Sequence, residues 1–555
     1  MSNFNLIKQR IVSFCITYKY PILIIAISFI FLLPLFESGF LVGHDNRPQV
    51  ARIASRILAI QDGQFPIRWA GNLNYGYGHP GFIFFYSLSG YLGALFYFLG
   101  FSLENAYEIL LGLTFILAPI FFYMWSSQLF QKRIAFVAAL IYALSPYSFL
   151  DMYVRVHLGE LASLALAPLV VFFIERNFKK ISALNIIGGT VAYTLFIHSH
   201  SILSLIFTFI FFGYILFRSG FKKGLLLSNL GILALGLLSS FYFWAPALYE
   251  GKYINSKIFV TDWYKDHFLN FYNIIYSRWG FGSNVNEKGG LSAQIGPLHV
   301  TFVTLSLLLL KKLKYKSTVL FWIIVFILGI FMSTSLSDFL WNRIHLLQQF
   351  QFPWRFTAVS CFSASVLAGY VLTFFNNKKI EAISLVILLV LAFPMAKVWK
   401  NESKGNNYYF NYPGTGAYHN EATTVWVAGD AYQYPKNRVE IINGKGKISN
   451  YKRKSQLHSF NVNSDTEIKV LDNTVYFPGW RVEVDGKKVP IEFQDINHRG
   501  LITFDVQKGS HQVNVKFGES PVRFFADIVS VGTVFLVLMI FFFRKRMNIF
   551  LRAIK

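Results

Sequence analysis

The chain has 555 residues, 54% hydrophobic and 14% charged, with a mean hydropathy of +0.44. These values exclude a disordered chain and argue against an ordinary water-soluble one. The formal net charge of +24 would suggest nucleic acid in a soluble protein, but much of it sits in short turns between apolar stretches, where membrane topology explains it better.

Apolar stretches that could cross a bilayer are predicted at 20–38, 106–125, 134–150, 158–175, 182–198, 200–217, 224–244, 297–311, 317–333, 353–375, 380–396 and 522–543. About twenty apolar residues are needed to cross. The first stretch follows a basic flank and no small-residue cleavage site comes after it, so it is taken as a retained span. Cys15 and Cys361 lie beside or within apolar segments and form neither a disulfide framework nor a metal spacing.

With Lys8-Gln9-Arg10 placed in the cytoplasm, the clusters Lys132-Arg133, Arg176 to Lys180, Arg218 to Lys223, Lys311 to Lys316, Lys378-Lys379 and Arg544-Lys545-Arg546 all fall inside. This holds provided that the apolar stretch 81–99 does not cross. Parity therefore favours 81–99 as an interfacial or re-entrant segment of a long outer loop, 39–105. The predicted organisation is a multi-spanning domain over 1–396, an extracytoplasmic β-rich domain over 397–521, and a last span with a basic tail over 522–555.

The β-domain is expected to be a small sandwich of short alternating strands, such as Arg481-Val482-Glu483-Val484 and Val513-Asn514-Val515-Lys516. Asp485-Gly486 signals a hairpin and Lys508-Gly509 another turn. Its 17 Lys and Arg nearly balance 13 Asp and Glu, which gives no footprint for a polyanion.

The spans carry almost no ionisable residue near their middles, whereas pumps and proton-coupled carriers use mid-depth polar groups. Chemistry is therefore expected at the outer surface, on a substrate presented from lipid. Asp45, in Gly43-His44-Asp45-Asn46-Arg47, directly follows the first span. It could deprotonate an acceptor hydroxyl or hold a cation that bridges phosphate oxygens, or be a solvated loop carboxylate. Asp151 ends the span 134–150 on the same face; it could share a site with Asp45 or pair with Arg155. His157 and Glu160 extend this polar cluster, and Glu160 could equally serve the helix dipole.

His198-Ser199-His200 is a turn between spans, suited to hydrogen-bonding a headgroup; no third ligand appears at a zinc spacing. Tyr77 and His79 lie in the glycine- and aromatic-rich Tyr75-Gly76-Tyr77-Gly78-His79-Pro80-Gly81, a stretch that could meet a sugar ring or simply turn into an interfacial helix. Arg355, just inside the span 353–375, needs an anionic partner or must snorkel. Arg343 and His345 could join it in a phosphate pocket.

The block Gly43-His44-Asp45, then Gly63-Gln64-Phe65-Pro66-Ile67-Arg68-Trp69, then Gly76-Tyr77-Gly78-His79-Pro80, resembles the YfhO-like and 6-pyruvoyl-tetrahydropterin-synthase-related bacterial membrane proteins. Gln351-Phe352-Pro353-Trp354-Arg355-Phe356 and Tyr476-Phe477-Pro478-Gly479-Trp480-Arg481-Val482-Glu483-Val484-Asp485-Gly486 carry the same resemblance. That family is similar to the GT-C glycosyltransferases, multi-spanning enzymes that take sugar from a polyprenyl-phosphate donor on the outer leaflet. The resemblance implies a GT-C-like α-helical polytopic fold of about 12–13 spans, with a functional Asp at Asp45, a second at Asp151, two crossings between their loops, and a donor-phosphate contact at Arg355.

It further implies a polyprenyl-phosphate-linked sugar as donor, a glycan, lipid or polymer as acceptor, the lipid bilayer as setting, and the extracytoplasmic face of the cytoplasmic membrane as location. His44, Tyr77, His79, His157, Glu160, His198 and His200 are the expected substrate contacts, and Arg355 and Arg343 the phosphate contacts. Many such families follow the first-loop Asp with another acidic residue, whereas Asn46-Arg47 follow here. A divalent cation (Mg or Mn), which Asp45 and Asp151 would hold, is thus left open. A flippase of lipid-linked sugar and a non-catalytic envelope scaffold remain as alternatives.

Overall fold

The structure is a computed structural model. It describes residues 17–220, 222–255, 262–417, 422–427 and 433–553. Cys15 and Lys8-Gln9-Arg10 lie outside the described residues.

Every predicted span is helical, because backbone polar groups within hydrocarbon must pair inside their own segment. Six helices are long and apolar enough to cross a membrane: Leu103–Ser126, Leu158–Lys179, Ser201–Ser219, Lys316–Ser333, Pro353–Phe375 and Pro521–Phe542. Two further helix pairs are long and apolar enough when taken together and are bent at a break: Lys132–Ala143 with Pro146–Val154 by 46°, and Lys223–Ser239 with Phe241–Tyr253 by 64°. The first break falls where Pro146 has no N–H to continue the hydrogen-bond ladder. Lys19–Ile30, Ala183–Ser199, Pro297–Leu308 and Lys378–Ala392 are shorter.

Hydrogen bonds show which helix ends share a side. At the basic end Lys179 Nζ donates to Gln128 O (2.8 Å), Arg218 pairs with Glu175 (2.6 Å), and Arg133 reaches Glu381 (2.5 Å) and Asn376 (3.2 Å). At the opposite end Leu41 N donates to Glu108 Oε1 (3.0 Å), and Asp45 pairs with Arg155 (2.9 Å). Leu41 and Glu108 meet at one end, so the chain between them makes no net crossing. Within it, Leu88–Phe98 has eleven residues, about 16 Å of helix, against a hydrocarbon core of about 30 Å. The stretch 81–99 thus stays on the Asp45 side, beside the longer helix Asn46–Gln61.

Eight strands form two antiparallel sheets near the C-terminus: β1 (Val439–Asn443), β2 (Gly446–Lys454), β3 (Leu457–Ser464), β4 (Ile468–Val475), β5 (Trp480–Val484), β6 (Lys487–Val489), β7 (Leu501–Val506) and β8 (Gly509–Phe517). The orders are β1-β4-β7 and β2-β3-β8-β5-β6. Phe460 and Val462 of β3, and Val513 and Val515 of β8, pack against Val470 and Phe504 of the other sheet. This is the expected sandwich. Asp485 and Gly486, both at positive φ, turn β5 into β6, the geometry that Asp-Gly favours. Lys508-Gly509 instead carries the chain from β7 in one sheet to β8 in the other. Ahead of the strands, Tyr409 donates to Glu104 (2.9 Å) and Thr424 bridges to Ile254, which holds the β-domain over the Asp45 end of the bundle.

Candidate functional site

The turn carrying Asp45 is pinned to the turn carrying Arg155. His44 N donates to Val154 O (3.1 Å) and Asp45 N to Arg155 O (2.9 Å). A Cβ on Gly43 would stand 2.2 Å from Val156 Cγ2, so the approach requires glycine. Val156 lies at φ +52°, a conformation that β-branched residues rarely adopt. Its carbonyl is held by the Tyr107 hydroxyl at 2.7 Å. Local backbone strain here is offset by the contacts that bring two loops together.

Arg155 sits between three carboxylates. Its Nη2 is 2.9 Å from Asp45 Oδ2, and its Nη1 is 2.9 Å from Asp151 Oδ1 and 2.7 Å from Glu160 Oε1. Glu160 Oε1 also takes Arg355 Nε at 3.0 Å, while Oε2 accepts from the Tyr147 hydroxyl at 2.6 Å. Arg355 Nη1 donates to Phe350 O (2.7 Å). Asp151 and Glu160 are fully buried and each is paired with a guanidinium, though Asp151 Oδ2 has no hydrogen-bond partner among the described residues. Asp45 and Asp151 do share a site, but Arg155 fills it. Asp151 does not reach open space; it holds Arg155. Glu160 likewise spends both oxygens on neighbours. Arg355 has found a carboxylate and does not snorkel.

In front of this network lies a cavity of about 650 Å³ lined by Asp45, Arg52, His157, His200, Asp266 and Arg355 among others, a volume typical of ligand sites. Arg52 stacks on Phe85 (4.6 Å) and Tyr86 (5.5 Å) and makes no ion pair among the described residues. His157 Nδ1 accepts from Glu160 N (3.1 Å) and His200 Nδ1 from Leu203 N (3.2 Å), each capping a helix. Burial drives the His157 imidazole well below its ordinary value and brings His200 down to about 3. A neutral ring that accepts at Nδ1 must carry its proton at Nε2. In both the remaining donor is Nε2–H: that of His157 lies 3.4 Å from the Tyr86 hydroxyl and that of His200 3.7 Å from Glu160 Oε1, on the wall that Arg52 shares. His44 lines the same cavity with Nε2 2.8 Å from Phe281 O, and burial lowers its pKa.

This donor set does not fit a metal ion. His157, Glu160 and His200 have ligand atoms within 4.8 Å of one another. A cation at either Nε2 would need that nitrogen stripped of its proton while Nδ1 still accepts a backbone N–H. A cation between Asp45 and Asp151 would have to displace Arg155.

The structure thus brings His44, Asp45, His157, His200 and Arg355 to the cavity, with Asp151 and Glu160 behind them. It leaves the other expected contacts elsewhere. Tyr77 faces the sandwich, its carbonyl accepting from Val475 N (2.9 Å). His79 is buried against Phe85 and accepts from Gly81 N (3.1 Å). His198 points to Ser87 (3.1 Å) and Tyr242, because the helix ends between it and His200. Arg343 and His345 are exposed and do not line the cavity. Sequence reasoning missed Arg52 and Asp266. The signal for Arg52 was present: Asp45, Gln49, Arg52 and Arg56 fall at i, i+4, i+7 and i+11, one face of a helix.

A family model for a 6-pyruvoyl-tetrahydropterin synthase related domain, described as a membrane protein, matches residues 82–400. The chain belongs to this family. Another sequence similar to this membrane protein is an uncharacterized protein of Lactococcus lactis subsp. cremoris (strain MG1363), 24% identical over 230 residues, which are 40% of this chain and 37% of the relative. The matched region spans well under half of that relative's length. Among solved structures, the arabinofuranosyltransferase AftD from Mycobacteria aligns at 12% identity with a TM-score of 0.42, over 71% of this chain and 27% of AftD. The oligosaccharyltransferase AglB from Archaeoglobus fulgidus, in complex with an inhibitory peptide and a dolichol-phosphate, aligns at 15% identity with a TM-score of 0.42, over 72% of this chain and 56% of AglB.

Proposed function

We propose that this membrane protein is a glycosyltransferase that moves a sugar from a polyprenyl-phosphate donor to a cell-envelope glycan, lipid or polymer. The carrying observation is the cavity's chemistry: Arg52, which makes no ion pair among the described residues, and the Nε2–H groups of His157 and His200 face the same space as the carboxylates of Asp45 and Asp266. An anion with a neighbouring hydroxyl satisfies both halves. The basic turns gather at the opposite end of the bundle, which supports placing the cavity outside the cytoplasmic membrane.

In the reaction, the acceptor hydroxyl oxygen bonds to C1 of the sugar as the C1–O bond to phosphate breaks. Polyprenyl phosphate leaves with the bonding electrons, and the hydroxyl proton passes to Asp45. One Asp45 oxygen is held by Arg155, which orients the carboxylate; the other has no hydrogen bond among the described residues. Direct displacement inverts the anomeric centre. Arg52 and the two imidazole N–H groups stabilise the charge building on the leaving phosphate, by about 3 kcal/mol for each well-placed donor. Asp151 and Glu160 fix Arg155 and Arg355.

Mass spectrometry of envelope glycans from cells with and without the protein tests this. A hexose, deoxyhexose or amino sugar should vanish from one polymer and return with the wild-type chain. An unchanged glycan profile rejects the proposal.

A further inference from the structure

The bundle has a second opening, at the end away from Asp45. Lys19, Arg133, Lys378 and Glu381 surround a cavity of about 510 Å³ whose remaining wall includes Phe136 and Leu385. These residues begin three helices: Lys19–Ile30, Lys132–Ala143 and Lys378–Ala392. The middle one continues to Val154 beside Arg155, so this cavity and the candidate site lie at opposite ends of one bent span.

Its charges are unbalanced. Glu381 is buried, and its Oε2 takes Arg133 Nε at 2.5 Å. Its other oxygen, Oε1, is buried with no hydrogen-bond partner among the described residues, a costly state for a carboxylate. Lys19 and Lys378 are exposed and make no ion pair among the described residues. Three cations thus face one carboxylate, whose Oε1 lacks a donor among the described residues, over an apolar floor at the depth where helix ends meet headgroups. That combination specifies a ligand with a phosphate charge, a hydrogen-bond donor and attached hydrocarbon.

We propose that this cavity binds a phospholipid headgroup bearing a terminal donor, phosphoglycerol or phosphoethanolamine. The phosphodiester lies among Lys19, Arg133 and Lys378. The terminal hydroxyl or ammonium donates to Glu381 Oε1, and the acyl chains follow Phe136 and Leu385. Phosphocholine, whose quaternary nitrogen has no N–H, cannot satisfy Glu381. The proposal stands apart from the chemistry at the Asp45 end.

Native mass spectrometry and thermal melting of the delipidated full-length protein test it, with phosphatidylglycerol, phosphatidylethanolamine or phosphatidylcholine added back. The first two should be retained and raise Tm; phosphatidylcholine should do neither. The double substitution Lys19→Ala, Lys378→Ala changes only exposed side chains, and should lower retention at least about tenfold, the loss of roughly one charge-assisted bond. Glu381→Met should erase the preference over phosphatidylcholine; if that variant does not fold, the lysine pair decides. Equal retention of phosphatidylcholine, or full retention by the lysine variant, overturns the proposal. A matching Tm rise with glycerol 3-phosphate or inorganic phosphate alone overturns the lipid assignment in favour of a soluble phosphate.

Discussion

The β-sandwich and the helical cavity both bury charged side chains, and they dispose of them differently. In the sandwich, His458 Nδ1 and Asp472 Oδ2 lie 2.7 Å apart. Burial pushes the Asp472 carboxyl up, but the His458 charge and hydrogen bond outweigh it and hold it below the usual range. That pair is shut within the core, where no cavity adjoins it among those described, and His458 Nε2 has no hydrogen-bond partner among the described residues. Around Arg155 the carboxylates and guanidiniums also pair with one another, yet the cavity in front is walled by Arg52, which makes no ion pair among the described residues. A charge paired inside a packed core marks structure; a cation on a cavity wall with no ion pair among the described residues marks a binding site.

The largest effect is expected of Glu160→Gln. It takes from buried Arg355 its carboxylate partner while Arg155 keeps Asp45 and Asp151, and should lower unfolding stability by about 3–5 kcal/mol, read by thermal or denaturant melting. Arg52→Gln should behave oppositely. Its melting should match wild type, while affinity for polyprenyl phosphate falls about 10- to 100-fold, the value of a charge-assisted bond, measured by titration with the lipid. In the sandwich, Asp472→Asn should cost about 1–3 kcal/mol in melting and leave that affinity untouched.

The smallest effect is in pH. Burial brings the His200 imidazole from its ordinary 6.5 down to about 3 in the folded chain. Between those values the unfolded chain binds a proton that the folded chain refuses, so stability falls as pH drops below 6.5. His200→Asn keeps a capping side chain and should flatten the decline between pH 6.5 and 5, by at most about 1.4 kcal/mol per pH unit. An identical slope in the variant assigns the decline elsewhere.

Much of this was legible in the sequence. Apolar length gave the spans, charge parity placed 81–99, and Asp485-Gly486 gave its hairpin, because each is set by local chemistry or by a count along the chain. The convergence of Asp45, Asp151, His157, Glu160, His200 and Arg355 followed from helix ends on one side. What stayed hidden depends on direction across short distances. His198 and His200 are two residues apart yet point to different neighbours, since a helix ends between them. Arg155 was visible only as a partner for Asp151, because its bonds to Asp45 and Glu160 come from a backbone pairing that the Gly43 contact permits. Arg343 is close to Arg355 in sequence, but the short helix Asp338–Arg343 carries it to the surface.

The most direct measurement is single-turnover sugar transfer by Asp45→Asn in reconstituted membranes, with donor binding measured in parallel. The account predicts a rate lower by about 10²- to 10⁴-fold, the contribution of a positioned base, with donor affinity within about twofold of wild type. Unchanged turnover, or a loss of binding that accounts for the whole loss of rate, would contradict it.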